Sequence, residues 1–595
     1  MARNTYREDE KLRETVNIKT VFRLFSYLQP YKKEVAKTLF LIAVVIVVSL
    51  TNPLLLRLAI NDYIANKNML GLAVLGAVMT GINLASTLCS RFRILTMSVV
   101  SGKILLRIRQ DLFQHIQKLS FTFFDSRPAG KILARIMGDV NSLGELFSTS
   151  VTNLIPETVM LVAVAVIMLL LNWKLGLMAL VMLPLLSVLL IFIRTASRKR
   201  WQAFRKKRSN LSAFVHEDYS GIRVVQSFAR EPKTEKIFFR LSKELAQSFI
   251  EATKYSNAFW AVVAVCWGVG SAIVFWYGSR LLIAGEILIG DLVAFTGYIG
   301  MFWQPVMNIS GFYNNLVTNL TGAERIFEIM DISPDIVNKP GAKEMPPIAG
   351  EVEFKDVSFA YEKNNYVLKN VSFHVRPGET IALVGPTGSG KTTIVSLISR
   401  FYDVSQGSVL IDGFDVRDVT LESLRAQMGI MTQDTFMFSG SIKDNIRYGK
   451  PEAGDEEVIA AAKAVNAHDF IIALPDGYDT DVNERGARLS AGQRQLIALA
   501  RALLADPRIL ILDEATSSID TQTELTVQKG INTLLKGRTA FVIAHRLSTV
   551  RNADRILVIE NGKIKEAGSH SRLLAQKGLY YQLYMAQYKY LSEGA

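Results

Sequence analysis

The stretch Gly385-Pro386-Thr387-Gly388-Ser389-Gly390-Lys391-Thr392 decides the fold of the second half of this 595-residue chain. It follows the apolar run 381–384 and precedes residues 394–402, whose pattern predicts a helix. A strand, a glycine-rich loop and a helix in this order form a P-loop, in which backbone N–H groups surround phosphate oxygens. Lys391 supplies a charge for the β- and γ-phosphates, and the Thr392 hydroxyl can ligate Mg²⁺. The sequence therefore predicts a site for a nucleoside triphosphate with Mg²⁺.

Composition separates a membrane half from a soluble half. The mean hydropathy of +0.22 is high for a soluble protein, and apolar residues concentrate before about residue 320. The net charge of +14 raises the question of nucleic-acid binding, but much of the excess of Lys and Arg lies between apolar segments. We therefore expect no nucleic-acid partner. Cys89 and Cys266 lie in or beside apolar segments without a CxxC spacing, which predicts neither a metal site nor a disulfide.

Six apolar segments reach the length of about 20 residues that a helix needs to cross a hydrocarbon core. They are residues 36–60, 69–95, 149–172, 175–196, 257–284 and 288–312. An amphipathic helix is predicted over residues 18–31, ahead of these segments, where it can lie on the membrane surface. Residues 1–19 lack the apolar core of a signal peptide, so we expect the start of the chain to stay in the cytosol.

The distribution of Lys and Arg predicts the orientation of these segments. The long loop after the fourth segment carries the basic clusters 194–200 and 205–208. The long loop between the second and third segments carries Arg107, Arg109, Lys118, Arg127, Lys131 and Arg135. The short loops near 61–68, 172–174 and 280–288 carry few basic residues. The positive-inside rule then predicts a multi-pass protein of the plasma membrane (the inner membrane in a bacterium), with both termini and the long loops in the cytosol. Helical periodicity in the long loops predicts helices that extend beyond the bilayer.

A proline-rich linker separates the membrane half from a predicted α/β domain. Beyond it, short alternating strands are predicted at 352–354, 357–359 and 371–375. The predicted organisation is a cytosolic N-terminus with the amphipathic helix (1–35), an α-helical membrane domain of six long helices (36–328), the linker (329–350) and an α/β nucleotide-binding domain (351–595).

A second acidic strand completes the predicted nucleotide site. Residues 509–512 form an apolar run typical of a buried strand, and Asp513 emerges at its end, where it can reach Mg²⁺. Glu514 follows directly and can polarise an attacking water. Upstream, the run Leu489-Ser490-Ala491-Gly492-Gln493 opens a helix that is predicted over 496–504. With Ser490 as its cap, this helix presents a second N-terminus suited to a phosphate.

At these residues the chain resembles the ATP-binding cassette (ABC) transporter family, whose signature motif is Leu-Ser-Gly-Gly-Gln. Ala491 departs from that motif. The resemblance implies that Tyr361 stacks on adenine, that Gln433 contacts Mg²⁺ and that His545 contacts the γ-phosphate. The implied catalytic residues are Glu514, His545 and Gln433, and the implied metal ligands are Thr392, Gln433 and Asp513. The implied ATP contacts are Tyr361, Gly385, Pro386, Thr387, Gly388, Ser389, Gly390, Lys391, Thr392, Thr393, Ser490, Gly492 and Gln493.

The order of the domains resembles the exporter type of this family, because six spans precede one ATPase domain on a single chain. Residues 123–130 and 217–228 look like the two coupling segments, which in the family dock into the ATPase domains, the second into that of the partner. Residues 483–486 match a loop of exporters that senses the membrane domain, and 517–520 match the D-loop. The implied mechanism is alternating access, in which two ATP molecules are bound between two half-transporters.

No motif identifies the substrate. Aromatic and amide side chains of the fifth and sixth segments suit amphipathic ligands, but packing and interfacial anchoring explain them as well. These side chains are Trp260, Trp267, Trp276, Tyr298, Phe302, Trp303, Gln304 and Asn308. Glu157 lies inside the third segment, where an ionisable group is costly. It is either functional or held by a neighbouring polar group.

The leading functional hypothesis is ATP-driven efflux of amphipathic drugs or toxins from the cytosol or the inner leaflet. Flipping of lipids or lipid-linked molecules by the same fold is the alternative. A regulatory or channel-like ATPase is disfavoured by the complete set Lys391, Gln433, Asp513, Glu514 and His545. The working unit requires a second half-transporter, because one ATPase domain completes neither ATP site. The methyl group of Ala491 beside intact phosphate-binding residues favours a heterodimer over a homodimer.

Overall fold

The computed structural model describes residues 18–149, 153–362, 365–432, 435–513, 521–543 and 550–592. The chain forms two compact units. The first comprises Met1–Lys118 and Ser126–Ser333, and its described part is helical. The second comprises Leu119–Asp125 and Pro334–Ala595 and contains two sheets with helices. The helical membrane domain and the α/β domain predicted from the sequence are thereby confirmed.

The helices up to residue 330 include several of exceptional length. Their bounds are α1 Ile18–Ser26, α2 Lys32–Leu58, α3 Met69–Lys118, α4 Phe121–Asp125, α5 Ala129–Ala134, α6 Val140–Thr149, α7 Ile155–Leu171, α8 Trp173–Leu180, α9 Met182–Ser220, α10 Ile222–Ser227, α11 Glu231–Ile283 and α12 Ile289–Met330. With 50 residues in α3 and 53 in α11, these helices extend well beyond the thickness of a bilayer, as the sequence predicts.

Within the described residues, four helical stretches are long and apolar enough to cross a membrane by length and composition. They are Gln29–Ile64, Met69–Lys118, Trp173–Ser220 and Glu231–Ile283. The third predicted span corresponds to α7, an apolar helix of 17 described residues, and the sixth lies within the 42 residues of α12. Each of the six predicted spans is mainly helical where the structure describes it, and a turn at Val181 divides the fourth between α8 and α9.

The amphipathic helix α1 ends at Ser26, five residues earlier than predicted. Pro30 has no N–H to donate to the Ser26 carbonyl, so the helix cannot continue, and a 3₁₀ turn leads into α2. Leu24 is buried, while Phe22 and Phe25 are exposed. This exposed aromatic face suits the membrane surface for which the sequence predicts the helix.

The second unit contains a four-stranded and a six-stranded sheet. The strands are β1 Val352–Glu362, β2 Asn365–Val375, β3 Thr380–Val384, β4 Gln406–Ile411, β5 Phe414–Asp415, β6 Met428–Met431, β7 Ile509–Asp513, β8 Thr539–Ile543, β9 Arg555–Glu560 and β10 Lys563–Gly568. The small sheet has the order β2-β1-β4-β5 and is antiparallel. The large sheet has the order β10-β9-β3-β8-β7-β6, and all its pairs except β9–β10 are parallel.

Helices surround the large sheet, and alternate residues of its strands pack into different apolar clusters. The helices are α13 Lys391–Ile398, α14 Leu421–Arg425, α15 Ile442–Arg447, α16 Asp455–Ala464, α17 His468–Ile472, α18 Ala491–Leu504, α19 Thr521–Leu535, α20 His570–Gln576 and α21 Leu579–Ser592. In β3, Ile381 and Leu383 join one cluster and Ala382 joins another, as the two-residue period of a strand requires.

Four predicted elements of the second unit have other bounds in the structure. The strands predicted at 352–354 and 357–359 form one strand, β1, because a bulge around the left-handed Asp356 (φ 45°) interrupts the alternation without ending the pairing. The helix predicted over 394–402 begins at Lys391 and ends before Arg400, whose φ of 48° is incompatible with a right-handed helix. Helix α18 begins at Ala491, directly after its cap, instead of at residue 496.

Candidate nucleotide-binding site

The candidate site lies at the carboxyl edge of the parallel strands. Strand β8 lies between β3 and β7, and Ile543 at its end pairs with Leu383 on one side and with Asp513 on the other. The P-loop follows β3 directly. The register of three strands therefore brings Asp513 and the P-loop to the same edge, which is where open α/β sheets bind ligands.

The glycines of the P-loop adopt conformations that other residues reach only with strain. Gly385, Gly388 and Gly390 have φ values of 153°, 82° and 107°. A Cβ at Gly385 would lie 2.1 Å from the carbonyl oxygen of Ile559, so that this loop also requires glycine for close backbone approach. Gly390 is the N-cap of α13, and the loop therefore leads straight into a helix N-terminus that favours an anion.

Lys391 is held inside the loop. Its Nζ donates hydrogen bonds to the carbonyls of Gly385 at 2.8 Å and of Pro386 at 2.9 Å, and only 7% of the residue is exposed. Burial lowers the pKa of Lys391, and the nearby Asp513 carboxylate opposes this effect. The ammonium and the first carboxylate of the site are thus close enough to interact.

The donors of the loop fit a triphosphate. The Ser389 Oγ is buried and has no hydrogen-bond partner in the described part of the chain. A phosphate oxygen would accept a hydrogen bond from this hydroxyl, from Lys391 and from the N-terminal N–H groups of α13. Thr392 and Asp513 offer a hydroxyl and a carboxylate, the oxygen ligands that Mg²⁺ prefers. The described residues include no cluster of three metal-ligating side chains, and Mg²⁺ bound mainly through phosphates does not need one.

Tyr361 lies beside the loop helix. Its hydroxyl is 3.2 Å from the Oγ1 of Thr393, the third residue of α13, and 46% of Tyr361 is exposed. The exposed ring is therefore available for stacking. Sequence reasoning missed Tyr402, whose ring contacts Tyr361 edge-on with the centroids 5.1 Å apart. No spacing rule relates these two tyrosines, because strand β1 and the end of α13 meet only in the folded unit.

The signature stretch forms the N-terminus of α18 with a complete cap. The backbone N–H of Gln493 donates to Ser490 Oγ at 3.2 Å, and the Ser490 N–H donates to Gln493 Oε1 at 2.9 Å. This reciprocal pair is a capping box and confirms Ser490 as the cap. Gly492 is buried in the first turn of the helix. Ala491, the departure from the family motif, is its first residue.

Several predicted functional residues lie outside the described part of the chain. They are Gln433, Glu514, His545 and the D-loop residues 517–520. In sequence, Gln433, Glu514 and His545 follow closely after β6, β7 and β8. These three neighbouring parallel strands all end at the edge that carries the P-loop.

A helical membrane unit followed by a P-loop unit defines a membrane-bound ATPase. Residues 35–306 match the family described as ABC transporter transmembrane region, and residues 368–517 match the family described as ABC transporter. The chain therefore belongs to the ABC transporter family. Its single membrane domain, followed by a single ATPase domain, makes it a half-transporter of the exporter type. It is a multi-pass membrane protein that binds ATP and couples its hydrolysis to transport, and it works as a dimer.

Similar proteins support the same assignment. The chain is 44% identical over 585 residues to "Uncharacterized ABC transporter ATP-binding protein YknV" of Bacillus subtilis, with 98% of this chain and 97% of that protein covered. It is 38% identical over 571 residues to an "ATP-dependent lipid A-core flippase" of Syntrophus aciditrophicus, with 95% and 94% covered. A solved structure of a bacterial Atm1-family ABC exporter with ATP bound has a TM-score of 0.77 and 29% identity, with 93% of this chain and 98% of that chain covered.

Proposed function

We propose that this half-transporter exports amphipathic compounds, such as drugs or toxins, from the cytosol or the inner leaflet of the plasma membrane. A hydrogen-bonded polar chain between two membrane helices carries this proposal. Gln304 Nε2 donates to Asn308 Oδ1 at 3.3 Å within α12, and Asn308 Nδ2 donates to Glu157 Oε1 of α7 at 2.6 Å. Arg93 of α3 is within electrostatic reach of Glu157. The polar chain thus offers a carboxylate, a guanidinium and two amides on the membrane helices α3, α7 and α12.

The depth of this polar chain suits the head group of an amphipathic compound. Asn308 lies 19 residues after the start of α12, about 28 Å along the helix, and Glu157 lies 14 residues before the end of α7, about 21 Å. With α7 ending and α12 starting at the outer surface, both residues belong to the inner half of a hydrocarbon core about 30 Å thick. Gln304 and Asn308 are exposed in the single chain. Polar groups at such depth face a cavity or a partner, since exposure to lipid is costly.

The aromatic residues of α12 support packing instead of substrate contact. Tyr298, Phe302 and Trp303 are buried in one apolar cluster, and the Tyr298 hydroxyl donates to the carbonyl of Leu50 at 2.7 Å. Of the two explanations that the sequence leaves open, packing therefore accounts for these three rings. The proposal rests on the amide and ionisable groups. Glu157 accepts a hydrogen bond from Asn308. We propose that the same carboxylate also contacts the substrate.

Hydrolysis is assigned to residues around the P-loop. Lys391, Ser389 and the N–H groups of the loop hold the phosphates, and Tyr361 stacks on adenine. Thr392, Gln433 and Asp513 are the proposed ligands of Mg²⁺, which when bound neutralises charge on the phosphates. Glu514 accepts a proton from the attacking water, and His545 contacts the γ-phosphate. The capped N-terminus of α18, with Ser490, Gly492 and Gln493, contacts the nucleotide of the partner.

The test combines ATP binding, hydrolysis and drug stimulation in lipid vesicles. Glu514→Gln is expected to bind ATP as the wild type does and to lose nearly all hydrolysis at its own site, because an amide cannot act as a base. A panel of amphipathic drugs is expected to stimulate wild-type hydrolysis, and Glu157→Gln is expected to change which drugs stimulate. Wild-type turnover in Glu514→Gln would refute the catalytic assignment. An unchanged drug profile in Glu157→Gln would refute the polar chain as the substrate site.

Lipid flipping is the second candidate, and the 38% identity to a lipid A-core flippase favours it. A lipid is itself amphipathic, so that the polar chain would meet a lipid head group in the same position. The two candidates differ in the molecule moved. ATP-dependent loss of a fluorescent lipid from one leaflet, without stimulation by any drug, would identify a flippase.

The partner is proposed to be a second, different half-transporter. Two aromatic side chains of the second coupling segment, Tyr219 and Phe228, are each 71% exposed, as expected for a segment that docks into a partner. The methyl group of Ala491 at the N-terminus of α18 favours a heterodimer in which the two ATP sites differ in hydrolytic activity. The chain purified alone is then expected to hydrolyse ATP poorly and to recover with a co-expressed half. Cooperative hydrolysis by a stable homodimer would exclude the heterodimer.

The membrane orientation is proposed from the loop charges. Single cysteines at residues 61–68 or 281–288 are expected to react with an impermeant thiol reagent added outside whole cells. Cysteines replacing Arg127 or Ser220 are expected to react only after the cells are opened, since these positions lie in the basic long loops. The reverse pattern would overturn the cytosolic placement of the termini and of the ATPase domain.

A further inference from the structure

Residues 119–125 pack with the ATPase unit, although they lie between α3 and α5 along the chain. Ser120 Oγ donates to Asp335 Oδ2 at 3.0 Å, and the Phe121 ring lies 4.4 Å from that of Phe401. This segment overlaps the first coupling segment that the sequence predicts at 123–130. The first residues of the coupling segment, 123–125, therefore belong to the unit that carries the P-loop.

Tyr402 joins this segment to the nucleotide site. Its hydroxyl donates a hydrogen bond to the Asp125 carboxylate, and its ring meets the Tyr361 ring at 88°. The Tyr361 hydroxyl is in turn hydrogen-bonded to the Thr393 hydroxyl of α13. A continuous series of contacts thus runs from the loop helix and the proposed adenine-stacking ring to Asp125. The contact of Ser120 with Asp335 is part of the same docking but not of this series.

The backbone that carries Tyr402 is firmly held. Arg400 is almost completely buried and donates to the carbonyls of Val337 at 3.2 Å and Val419 at 3.3 Å. The Arg425 guanidinium lies 5.1 Å from the centre of the Phe401 ring. A displacement of Tyr361 is therefore passed on by the Tyr402 side chain and not absorbed by a mobile backbone.

The hydrogen bond between Tyr402 and Asp125 joins a hydroxyl donor to a carboxylate acceptor. Burial and the hydrogen bond to Asp125 raise the pKa of Tyr402 well above its ordinary value. A phenylalanine keeps the ring contact with Tyr361 and removes only this bond, which makes the substitution selective.

We propose that Tyr402 is a positioning residue that couples adenine binding at Tyr361 to residues 119–125 of the same chain. The proposal rests on the adenine contact proposed for Tyr361. A base stacked on the exposed ring fixes its orientation, the edge contact transmits this to Tyr402, and the hydroxyl holds Asp125. A ligand shifts a conformational equilibrium only through contacts that differ between the two states. The adenine base supplies such a contact with the Tyr361 ring, whereas tripolyphosphate has no base to stack on that ring.

Hydrogen exchange in the full-length transporter in lipid nanodiscs tests this coupling. The probes are Mg²⁺ with a non-hydrolysable ATP analogue and Mg²⁺ with inorganic tripolyphosphate, which has no base. In the wild type, the ATP analogue is expected to slow exchange in residues 119–125 by about tenfold, of the order that one charge-assisted hydrogen bond supports. Tripolyphosphate is expected to leave exchange there unchanged.

Tyr402→Phe and Tyr361→Ala test the route through the two tyrosines. Ser120→Ala is the control for the packing of residues 119–125 against the ATPase unit. Tyr402→Phe is expected to bind the ATP analogue as the wild type does and to lose the protection of residues 119–125. Ser120→Ala, which removes a contact of the same segment away from the nucleotide, is expected to keep it. Equal protection by tripolyphosphate, or full protection in Tyr402→Phe, would overturn the proposal. If Tyr361→Ala retains wild-type affinity for the ATP analogue, it is the proposed adenine contact that fails.

Discussion

Replacing Gly385 by alanine tests whether the P-loop depends on close approach to the neighbouring strand. A Cβ at this position would lie 2.1 Å from the carbonyl oxygen of Ile559 and 3.1 Å from its carbon. Non-bonded carbon contacts are most favourable at about 3.5–4.0 Å. Ile559 is fully buried in β9, which pairs with β3 along its length. The clash can therefore be relieved only by moving a strand of the central sheet.

The expected loss of stability follows from two contributions. The left-handed conformation at Gly385 costs an alanine about 1–2 kcal/mol. Overpacking against an immobile neighbour adds about 1–3 kcal/mol, occasionally more. The total of about 2–5 kcal/mol corresponds to a fall in melting temperature of about 4–20 °C for a domain of this size.

Gly388→Ala is the matched control. This glycine also has a positive φ, 82°, but no described atom lies within 4 Å of a Cβ built on it. Only the conformational cost of about 1–2 kcal/mol applies, which corresponds to a fall of about 2–8 °C. The two variants carry the same chemical change three residues apart, and a Cβ meets the β9 backbone at Gly385 but not at Gly388.

The assay uses the uneven distribution of tryptophan. All six tryptophans lie between residues 173 and 303, so that intrinsic fluorescence reports on the membrane unit alone. Hydrogen exchange in β3 and β9 reports on the ATPase unit. Gly385→Ala is expected to lose protection in these strands and to leave the fluorescence transition in place. Equal effects of the two variants, or wild-type protection in Gly385→Ala, would refute the close-approach argument.

Three further predictions concern α18 and the C-terminal helices. Ser490→Ala removes the acceptor of the Gln493 N–H and is expected to destabilise the ATPase unit by about 1 kcal/mol, measured by denaturant unfolding. Ala491→Gly restores the family motif and is expected to raise ATP hydrolysis by the assembled dimer; an unchanged steady-state rate would contradict a weakened signature. Burial lowers the pKa of His570, whose Nδ1 is 2.7 Å from the Tyr580 hydroxyl. Protonation then favours the unfolded state, so stability is expected to fall as pH drops below about 6.5, and His570→Gln to reduce this dependence in unfolding measurements from pH 7.5 to 5.

Local patterns in the sequence were sufficient for the elements whose reasons are local. The apolar run 381–384 followed by three glycines predicts both a buried strand and a left-handed loop, and β3 and the P-loop have these conformations. Ser490 with Gln493 three residues later predicts a capped helix start, which the structure confirms. In both cases the residues that signal the element are also the ones that make its hydrogen bonds.

The sequence does not predict features that depend on distant contacts. The pairing of β1 with β2 continues through a bulge at Asp356, and a break in alternation cannot be distinguished from the end of a strand. The contact of residues 119–125 with Phe401 and Tyr402 joins positions almost 300 residues apart, and no periodicity reports it. The burial of Tyr298, Phe302 and Trp303 also depends on neighbouring helices, which is why packing and substrate binding remained alternatives at the sequence level.

The geometry around Lys391 explains how the loop can be ready for ATP without further folding. The ammonium is buried, and it donates to the carbonyl dipoles of Gly385 and Pro386. Because burial lowers its pKa, a more strongly negative partner is favoured over these dipoles. Phosphate oxygens are such partners, and charge-assisted hydrogen bonds are about twice as strong as neutral ones. The loop glycines already have positive φ values, so the conformational cost of forming the loop is incurred when the unit folds. Nucleotide binding then only exchanges the hydrogen-bond partners of Lys391.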